Sequence, residues 1–372
     1  MPRPPLPQTS RAAVLRRFGD PLVIEDVPVP GRLEPRALLV QTLACSICGT
    51  DVHLARGSLA LKVDLPVILG HEMVGRIVAM GEDASRDSLG RELRIGDRIL
   101  WTHTACNSCF FCTVARQPTL CDNRRAYMYE RMDRPPHLLG GFSEFGYVLP
   151  ESGRIRVPDA LDDGVASLCS CAFRSVMNAM RNLGEVESNA TVAIQGAGPL
   201  GLLAAAVLRR RGAGTVVVIG APAARLELAA EFGATHVIDI ATTTHAERLE
   251  TLRGLTGGRG ADIVAEFTGH PPAFAEGLDL VRKGGRYLVV GQLGEGEATL
   301  QPSMIVKKNI TVIGSFSGDA RSYGDALDFA AAHARDIPFS RMLTGQFRLD
   351  EVNTALDRMH RMLEIKPLIR IA

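Results

Sequence analysis

The stretch CSICGTDVH holds several side chains that could do chemistry together. Cys45 and Cys48 form a C-x-x-C pair, which in a reducing compartment is either a redox dithiol or half of a zinc site. Thr50, Asp51 and His53 follow closely, so the stretch could instead supply one metal ligand and a pair of groups that move a proton. The cysteine pair alone leaves both interpretations open.

A second cysteine cluster lies in CNSCFFCTVARQPTLC, which contains Cys106, Cys109, Cys112 and Cys121. Four thiolates this close can complete a tetrahedral zinc shell with no open position, which is typical of a structural site. A DNA-reading zinc finger is not indicated, because no ligand pair follows at helix spacing and no basic recognition helix is evident. The cluster therefore predicts one structural zinc.

A catalytic zinc needs three protein ligands and one open coordination position. Candidate ligands lie in CGTDVH, GHE and LCSCAF, and they are Cys48, His71 beside Glu72, and either Cys169 or Cys171. Two cysteines and one histidine form an established ligand set for such a zinc. The residues alone do not decide between the two cysteines of LCSCAF.

The elements that must position these residues differ between the two parts of the chain. Up to about residue 158, short β-type runs such as ALLVQTLAC and EMVGRIVAM are separated by turn signals, which predicts a strand-rich domain. From residue 190, predicted strands alternate with predicted helices, the last pair being a helix over AFAEGLDLVRKGG (273–285) and a strand over RYLVVGQ. This alternation predicts an α/β fold with right-handed crossovers and a doubly wound parallel sheet. Near residue 314 the alternation fades, and we expect the tail to rejoin the first domain.

The predicted strand TVAIQ leads into a glycine-rich turn that could bind a dinucleotide. GAGPLG places Gly196, Gly198 and Gly201 as G-x-G-x-x-G between that strand and a predicted helix. Glycines there permit a tight turn and a close approach to a pyrophosphate, and the free N–H groups of the helix N-terminus favour the anion. Pro199 fits the first helical turn, where its missing N–H costs nothing. Leu200 completes the predicted cofactor-binding loop.

The end of the next predicted strand, TVVVIG, bears on which dinucleotide binds. An NAD site normally carries Asp or Glu about 20 residues beyond the glycines, where it hydrogen-bonds the ribose 2′-OH. Here the strand ends on Gly220, so no carboxylate repels a 2′-phosphate, and Arg225 could pair with that phosphate. Arg225 could equally do no more than open the next helix. The pattern favours NADP(H) over NAD(H).

Composition and charge exclude several partners. The 372 residues carry a formal net charge of +1, which gives no long-range attraction to nucleic-acid phosphates. The longest apolar run is too short to span a bilayer, and the basic, proline-rich start lacks the apolar stretch of a signal peptide. We therefore expect a cytoplasmic protein that binds neither nucleic acid nor membrane. In that compartment, clustered cysteines are metal ligands or catalytic groups rather than disulfides.

The motifs also occur in a characteristic order. CGTDVH, GHEMVG, the four-cysteine cluster, GGFSEF and GAGPLG follow one another over nearly the whole chain, which resembles the medium-chain zinc-dependent alcohol dehydrogenases of the medium-chain dehydrogenase/reductase superfamily. The resemblance implies a GroES-like catalytic domain over residues 1–160, to which 314–372 return, and a Rossmann NAD(P)-binding domain over 161–313. It also implies two zinc ions per chain and a homodimer or homotetramer.

The resemblance further assigns roles to individual residues. It implies that Cys48 and His71 bind the catalytic zinc, with Glu72 beside the metal and Asp51 orienting His71 through a hydrogen bond. The family's third ligand cysteine precedes a small residue and often Phe, so it corresponds to Cys171, which precedes Ala-Phe.

The other cysteines and the remaining polar residues of CSICGTDVH take their roles from the same resemblance. Cys169 and Cys45 are then packing residues, because a buried free thiol behaves as a small hydrophobe. Thr50 would receive the alcohol proton and His53 would pass it to solvent.

The implied function is hydride transfer between an alcohol, or the matching aldehyde or ketone, and NAD(P), with zinc as the Lewis acid. Three alternatives remain: a zinc-free quinone or enoyl reductase of the same fold, a non-catalytic dinucleotide sensor, and a thiol oxidoreductase based on the C-x-x-C pair. The arginine-rich segment NRRAYMYERMDRPPHLLGG (123–141) could select an anionic substrate, but runs of charge are usually solvated, and we expect a surface loop.

Overall fold

The computed structural model describes residues 6–58, 63–294 and 296–372. The first five residues of the proline-rich start lie outside these ranges. The chain divides into two compact units. The first unit runs to Arg174 and also contains Gly318–Ala334 and Met342–Ala372, and the second contains Ser175–Ser317 and Arg335–Arg341.

The described residues form strands and helices that are numbered in chain order. The strands are β1 (Thr9–Leu15), β2 (Val23–Pro28), β3 (Leu38–Ser46), β4 (Val67–Ile68), β5 (Glu72–Met80), β6 (Arg98–Thr104), β7 (Phe145–Val148), β8 (Ser152–Arg156), β9 (Thr191–Gln195), β10 (Thr215–Gly220), β11 (His236–Asp239), β12 (Ala261–Glu266), β13 (Val281–Val289), β14 (Thr311–Gly314), β15 (Gly345–Arg348) and β16 (Pro367–Arg370). The helices are α1 (Gly49–Ala55), α2 (Phe110–Thr113), α3 (Asp163–Leu168), α4 (Ala172–Leu183), α5 (Pro199–Arg210), α6 (Ala223–Glu231), α7 (His245–Leu255), α8 (Pro271–Leu280), α9 (Ser303–Lys308), α10 (Ala320–Ala332) and α11 (Val352–His360). Short 3-10 turns lie at Pro118–Leu120, Phe339–Met342 and Leu349–Glu351.

The first unit is strand-rich, as the short β-type runs predict, and its strands pair antiparallel except for β15 and β16, which are parallel. Its larger sheet has the order β15-β16-β3-β5-β6-β8, with β7 also paired to β3, and a smaller sheet has the order β2-β1-β4. Strand β3 is buried along nearly its whole length, because α3 packs against β3 and β5. At one end of the β3–β5 pair, Ser46 lies opposite Glu72, and both strands there adjoin residues with metal-binding side chains.

The second unit contains a parallel sheet with the order β11-β10-β9-β12-β13-β14. Its central strands β9, β10 and β12 are mainly buried apolar runs, since helices cover both faces of a doubly wound sheet. Helix α5 packs against β9 and β10, and α8 packs against β12 and β13. The predicted α/β class with a doubly wound parallel sheet is confirmed.

The helix predicted over residues 273–285 is partly wrong. Helix α8 ends at Leu280, and VRKGG forms the beginning of β13. The register between β12 and β13 shifts along this stretch, and Gly284 has a φ of +67°. Two adjacent glycines are poor helix formers, at about 1 kcal/mol each relative to alanine, and Gly284 adopts a backbone conformation that no helix allows.

Among the described residues, no helix combines the length and the apolar character needed to cross a bilayer.

Candidate active site and metal centres

Four side chains of the first unit converge on one point. One donor atom each of Cys48, His71, Glu72 and Cys171 lies within 4.8 Å of the corresponding atoms of the other three. Different elements bring them there. Cys48 is the N-cap of α1, His71 immediately precedes β5, Glu72 is the first residue of β5, and Cys171 lies between α3 and α4.

The carboxylate of Asp51 holds two of these residues in place. It is fully buried and accepts hydrogen bonds from the N–H of Cys48 at 2.8 Å and the N–H of Gly70 at 3.0 Å. Its Oδ1 also lies 3.3 Å from Nδ1 of His71. Because Nδ1 faces the carboxylate, Nε2 is left to face the sulfur atoms, which is the arrangement that metal-binding histidines use.

The electrostatics of the group favour an ionised sulfur. A hydrogen bond with Cys48, together with the charges of His71 and Arg174, lowers the pKa of Cys171 well below its usual value, although burial opposes this. Burial would lower the pKa of His71, but Asp51 and Cys171 raise it well above its usual value. Two sulfurs and one imidazole nitrogen form a donor set that zinc prefers, with room for a fourth ligand. The residues present therefore fit a catalytic zinc.

The neighbouring cysteines do not join this group. Cys169 is completely buried, its thiol donates to the carbonyl of Val165 at 3.6 Å, and burial raises its pKa. Cys45 is also completely buried, and burial again raises its pKa well above the usual value. The structure thus separates Cys171 from Cys169, and Cys48 from Cys45, by placing one thiol of each pair at the convergence point and the other in the core.

Glu72 has partners that the sequence analysis did not identify. Nζ of Lys366 lies 2.5 Å from one carboxylate oxygen of Glu72, and the hydroxyl of Ser46 donates to the other. Ser167 donates in turn to Ser46 at 3.1 Å. Burial raises the pKa of Glu72 to about 7, against the opposing effect of Lys366. Lys366 lies 294 positions away in the sequence, so no local pattern could have indicated this pair.

The two residues predicted to move a proton lie on α1. Oγ1 of Thr50 is 3.7 Å from the Cys48 sulfur. His53 is exposed, and its Nδ1 is 3.2 Å from the hydroxyl of Ser58. Residues three apart share a helix face, so Thr50 and His53 lie on one face that extends from the donor group to solvent.

The prediction of a solvated surface loop over residues 123–141 is only partly correct, since the segment is a loop with exposed polar residues but part of it is buried. Tyr127 and Met128 within it are almost fully buried. The sulfur of Met128 lies 3.1 Å from Nδ1 of His71, and the N–H of Tyr127 donates to Nδ1 of His103 at 3.1 Å. The segment is charged in sequence, but its Met128 is buried against the imidazole of His71.

The other four cysteines form a second donor group. The sulfur atoms of Cys106, Cys109, Cys112 and Cys121 all lie within 4.8 Å of one another. We call residues 106–121 the four-cysteine lobe. Phe110 and Val114 in this lobe are 62% and 67% exposed, so apolar burial does little to hold it. Hydrogen bonds from Ser108 lower the pKa of Cys106 to about 5, and four convergent sulfurs fit a structural zinc.

The predicted dinucleotide loop in the second unit has the geometry that close backbone contact requires. Gly196 has a φ of +112°, and its N–H donates to the carbonyl of Ile219 at 2.8 Å. Gly198 is the N-cap of α5, and Pro199 and Leu200 begin its first turn. A Cβ on Gly201 would lie 1.9 Å from the carbonyl oxygen of Gly196. The turn and the helix therefore meet backbone to backbone, and only glycine permits this approach.

The end of β10 has a steric property that sequence could not reveal. A Cβ on Gly220 would lie 2.7 Å from the backbone nitrogen of Ala197 in the dinucleotide loop. Arg225 lies in the first turn of α6, and partial burial lowers its pKa. A carboxylate at position 220 would therefore require the glycine loop itself to shift.

Comparisons with known proteins agree with this architecture. The family model "Alcohol dehydrogenase GroES-like domain" matches residues 34–159, and the model "Zinc-binding dehydrogenase" matches residues 199–332. A 5-exo-hydroxycamphor dehydrogenase of Pseudomonas putida is 33% identical over 337 residues, which cover 90% of this chain and 92% of that protein.

Solved structures give the same result over the whole length. An alcohol dehydrogenase from Thermotoga maritima matches with a TM-score of 0.92 at 33% identity, covering 98% of this chain and 100% of that one. A structure from Sinorhizobium meliloti, described as a zinc-binding dehydrogenase bound to NADP, matches with a TM-score of 0.84 at 30% identity, covering 97% and 99%. The resemblance predicted from the motifs is thus confirmed: the chain is an oxidoreductase that belongs to the zinc-dependent alcohol dehydrogenases of the medium-chain dehydrogenase/reductase family.

Proposed function

We propose that this oxidoreductase transfers a hydride between a primary or secondary alcohol, or the matching aldehyde or ketone, and NAD(P)(H) at a zinc centre. The observation that carries the proposal is the convergence of Cys48, His71 and Cys171, whose donor atoms lie within 4.8 Å of one another in the first unit. A bound zinc would supply a Lewis acid for the substrate oxygen, and the nicotinamide would supply the hydride acceptor or donor.

The chain's own residues supply position and charge. Asp51 fixes the ring of His71, and the Cys48 and Cys171 sulfurs provide the anionic donors. Both oxygens of Glu72 are already bonded, to Lys366 and to a serine hydroxyl. This favours a role for Glu72 beside the ligands rather than as a permanent ligand.

Thr50 and His53 are proposed to carry the substrate proton. The hydroxyl of Thr50 lies next to the Cys48 sulfur and can both accept and donate a proton. His53 is exposed on the same helix face, and its imidazole can both accept and donate a proton. Together they lead from the donor group to water.

The dinucleotide is proposed to bind in the second unit. Gly196, Gly198 and Gly201 shape a loop whose backbone can approach a pyrophosphate, and the N-terminus of α5 stabilises its charge. The absence of a carboxylate at Gly220 and the nearby Arg225 favour NADP(H).

Two zinc ions per chain complete the proposal, one at the catalytic donor group and one in the four-cysteine lobe. We assign catalysis to the first unit, which contains Cys171, and dinucleotide binding to the second unit, rather than dividing the chain at residues 160 and 314. Assembly into a homodimer or homotetramer is part of the same proposal.

Two pairs of neighbouring cysteines test the proposal with matched controls. Cys171→Ser should lower the zinc content from about two to about one per chain and abolish turnover of an alcohol panel. Cys169→Ser, two residues away, should retain both zinc ions and activity. In the second pair, Cys48→Ser should lose one zinc ion and activity as Cys171→Ser does, and Cys45→Ser should retain both zinc ions and activity as Cys169→Ser does. Elemental mass spectrometry gives zinc per chain, and NAD(P)H absorbance gives turnover.

The alternatives predict other results. About one zinc per chain in the unmutated protein, with hydride transfer retained, would indicate a reductase that works without a catalytic zinc. Dinucleotide binding without turnover of any alcohol or carbonyl would indicate a sensor. Loss of activity in the Cys45→Ser variant as well as in the Cys48→Ser variant would indicate a thiol oxidoreductase.

A further inference from the structure

Arg174 is a buried cation beside the candidate catalytic metal centre. Only 4% of its surface is exposed. Nε donates to the carbonyl of Ser170 at 2.9 Å and Nη1 donates to the carbonyl of Gly318 at 3.3 Å. Nη2 lies 3.8 Å from the sulfur of Cys171, and the guanidinium carbon lies 5.4 Å from the ring centroid of Tyr323. Two carbonyls and an aromatic face thus fix the guanidinium so that its remaining nitrogen faces a metal-binding sulfur.

The charge of Arg174 can be compared with the other charges that are buried around the candidate metal ligands. Two thiolates, Cys48 and Cys171, would balance the two charges of a zinc ion. The Glu72 carboxylate and the Lys366 ammonium form a buried ion pair and cancel each other. Asp51 is fully buried and leaves one negative charge. Arg174, beside the Cys171 sulfur, supplies a positive charge that opposes this negative charge, and Arg124 is a second, partly buried cation near Arg174. Burial of unbalanced charge is strongly unfavourable.

Contact with the sulfur has a second effect. A hydrogen bond or a cation beside a metal-bound thiolate reduces the electron density that the sulfur gives to the metal, and such neighbours tune metal sites. The planar guanidinium can hold its anchoring carbonyls and the sulfur at the same time. A lysine ammonium at this position keeps the charge but has no rigid fork of donors.

We propose, on the basis of the proposed function, that Arg174 is a positioning residue of the catalytic metal centre. It holds the Cys171 sulfur in one orientation, balances the charge of the buried cluster, and withdraws electron density from the thiolate so that the bound zinc is a stronger Lewis acid.

Cobalt substitution tests this assignment with a spectroscopic readout. In the Co²⁺-substituted protein, the thiolate-to-cobalt charge-transfer band should move to longer wavelength in Arg174→Met. Without the neighbouring guanidinium, the Cys171 thiolate donates electron density to the metal more readily, and the energy of the transition falls. Arg174→Lys should show a smaller shift. The four-cysteine lobe contributes the same bands to every variant, so difference spectra report on the Cys171 site.

Arg154→Met is the matched control. Arg154 is 5% exposed and donates to the carbonyls of Leu149 and Ser152 in the first unit. Its replacement removes an equally buried guanidinium and should leave the band unchanged. With zinc bound, Arg174→Met should lose about 10- to 100-fold in activity, the usual effect of removing a neighbour of a metal ligand. The pH at which activity reaches half its maximum should rise.

The outcomes separate the role of Arg174 from the proposed function. An unshifted band in Arg174→Met, with two metal ions bound, would overturn the role of Arg174 and leave the proposed function standing. If only the lobe binds metal in the unmutated protein, both the role and the proposed function fail. If Arg174→Met does not fold, Arg174→Lys retains the buried charge, and the presence or absence of its band shift decides the question.

Discussion

Gly198 and Gly201 lie in the same glycine-rich turn, yet an alanine at each should have different effects on stability. At Gly201 the new methyl carbon would lie 1.9 Å from the carbonyl oxygen of Gly196, whereas ordinary contact begins at 3.4 Å. The turn and helix α5 would have to separate by about 1.5 Å. At Gly198 a Cβ meets no atom of the described residues within 4 Å, and the φ of −84° suits any L-residue.

The magnitudes follow from these distances. Overpacking of this kind costs about 1–3 kcal/mol, which corresponds to a melting temperature about 2–12 °C lower for a unit of this size. Gly198→Ala loses about 0.5–1 kcal/mol of N-cap preference and regains about 0.4–1 kcal/mol from a less flexible unfolded chain. Its melting temperature without cofactor should therefore stay close to that of the unmutated protein.

Cofactor binding should separate from stability in the Gly198 variant. Its methyl group would stand where the backbone must approach the pyrophosphate, and a steric penalty of about 1–3 kcal/mol weakens binding about 5- to 150-fold. Scanning calorimetry with and without NADP(H), and fluorescence titration of NADPH, measure the two effects.

Two results would refute this reasoning. Unchanged affinity for both NADPH and NADH in Gly198→Ala would show that this loop does not receive the pyrophosphate. An unchanged melting temperature in Gly201→Ala would show that the turn and the helix do not meet backbone to backbone.

Three further predictions concern charged groups. Since its neighbours raise the pKa of His71 well above its usual value in the metal-free protein, zinc must displace a proton. The apparent zinc affinity from chelator competition should therefore keep rising as the pH increases above the ordinary histidine value of about 6.5. An affinity independent of pH would remove His71 from the ligand set. Arg225→Gln should lower the ratio of NADP to NAD catalytic efficiencies about 10- to 150-fold, through loss of a charged hydrogen bond of about 1.5–3 kcal/mol. The control Gly220→Ala reports only the steric effect at the end of β10. An unchanged ratio in Arg225→Gln would contradict the preference for NADP. Lys366→Met should lower the free energy of unfolding, measured in urea, by about 3–5 kcal/mol because it leaves Glu72 unpaired. The double variant Lys366→Met with Glu72→Gln should recover part of this loss. Equal losses in the single and the double variant would show that the two side chains are not coupled.

The sequence predicted the parallel sheet well because its signals are local. Buried parallel strands are typically continuous apolar runs, and TVAIQ is followed by Gly196 while TVVVIG ends at Gly220. The same local reasoning failed at VRKGG, where apolar spacing compatible with a helix continues past Leu280. Only the pairing of Val281 with Ala261 on the neighbouring strand shows that the extended conformation prevails there.

The candidate metal ligands could be predicted for a similar reason, whereas the residues that support them could not. Cys48 and His71 each stand in a short motif whose spacing carries information. Arg174 lies in α4 and Lys366 immediately precedes β16, and neither stands in a recognisable motif. The role of each depends on its contacts in the folded protein. Met128 is a case in which the local sequence was misleading. The arginines around it indicate a surface position, but tertiary packing buries it against His71.

The discontinuous first unit has a consequence for the order of events on the ribosome. Strand β16 pairs with β3 at Ser46 and Cys45, and it is synthesised only after the whole of the second unit's main segment, Ser175–Ser317. Until then, the edge of β3 nearest the metal-binding residues lacks its partner strand, and Glu72 lacks the ammonium group of Lys366. The second unit can fold on emergence, whereas the first must wait with an open sheet edge. Completion of the sheet beside Cys48 and of the buried Glu72–Lys366 ion pair is therefore a late step in the biogenesis of this protein, after translation has passed Lys366.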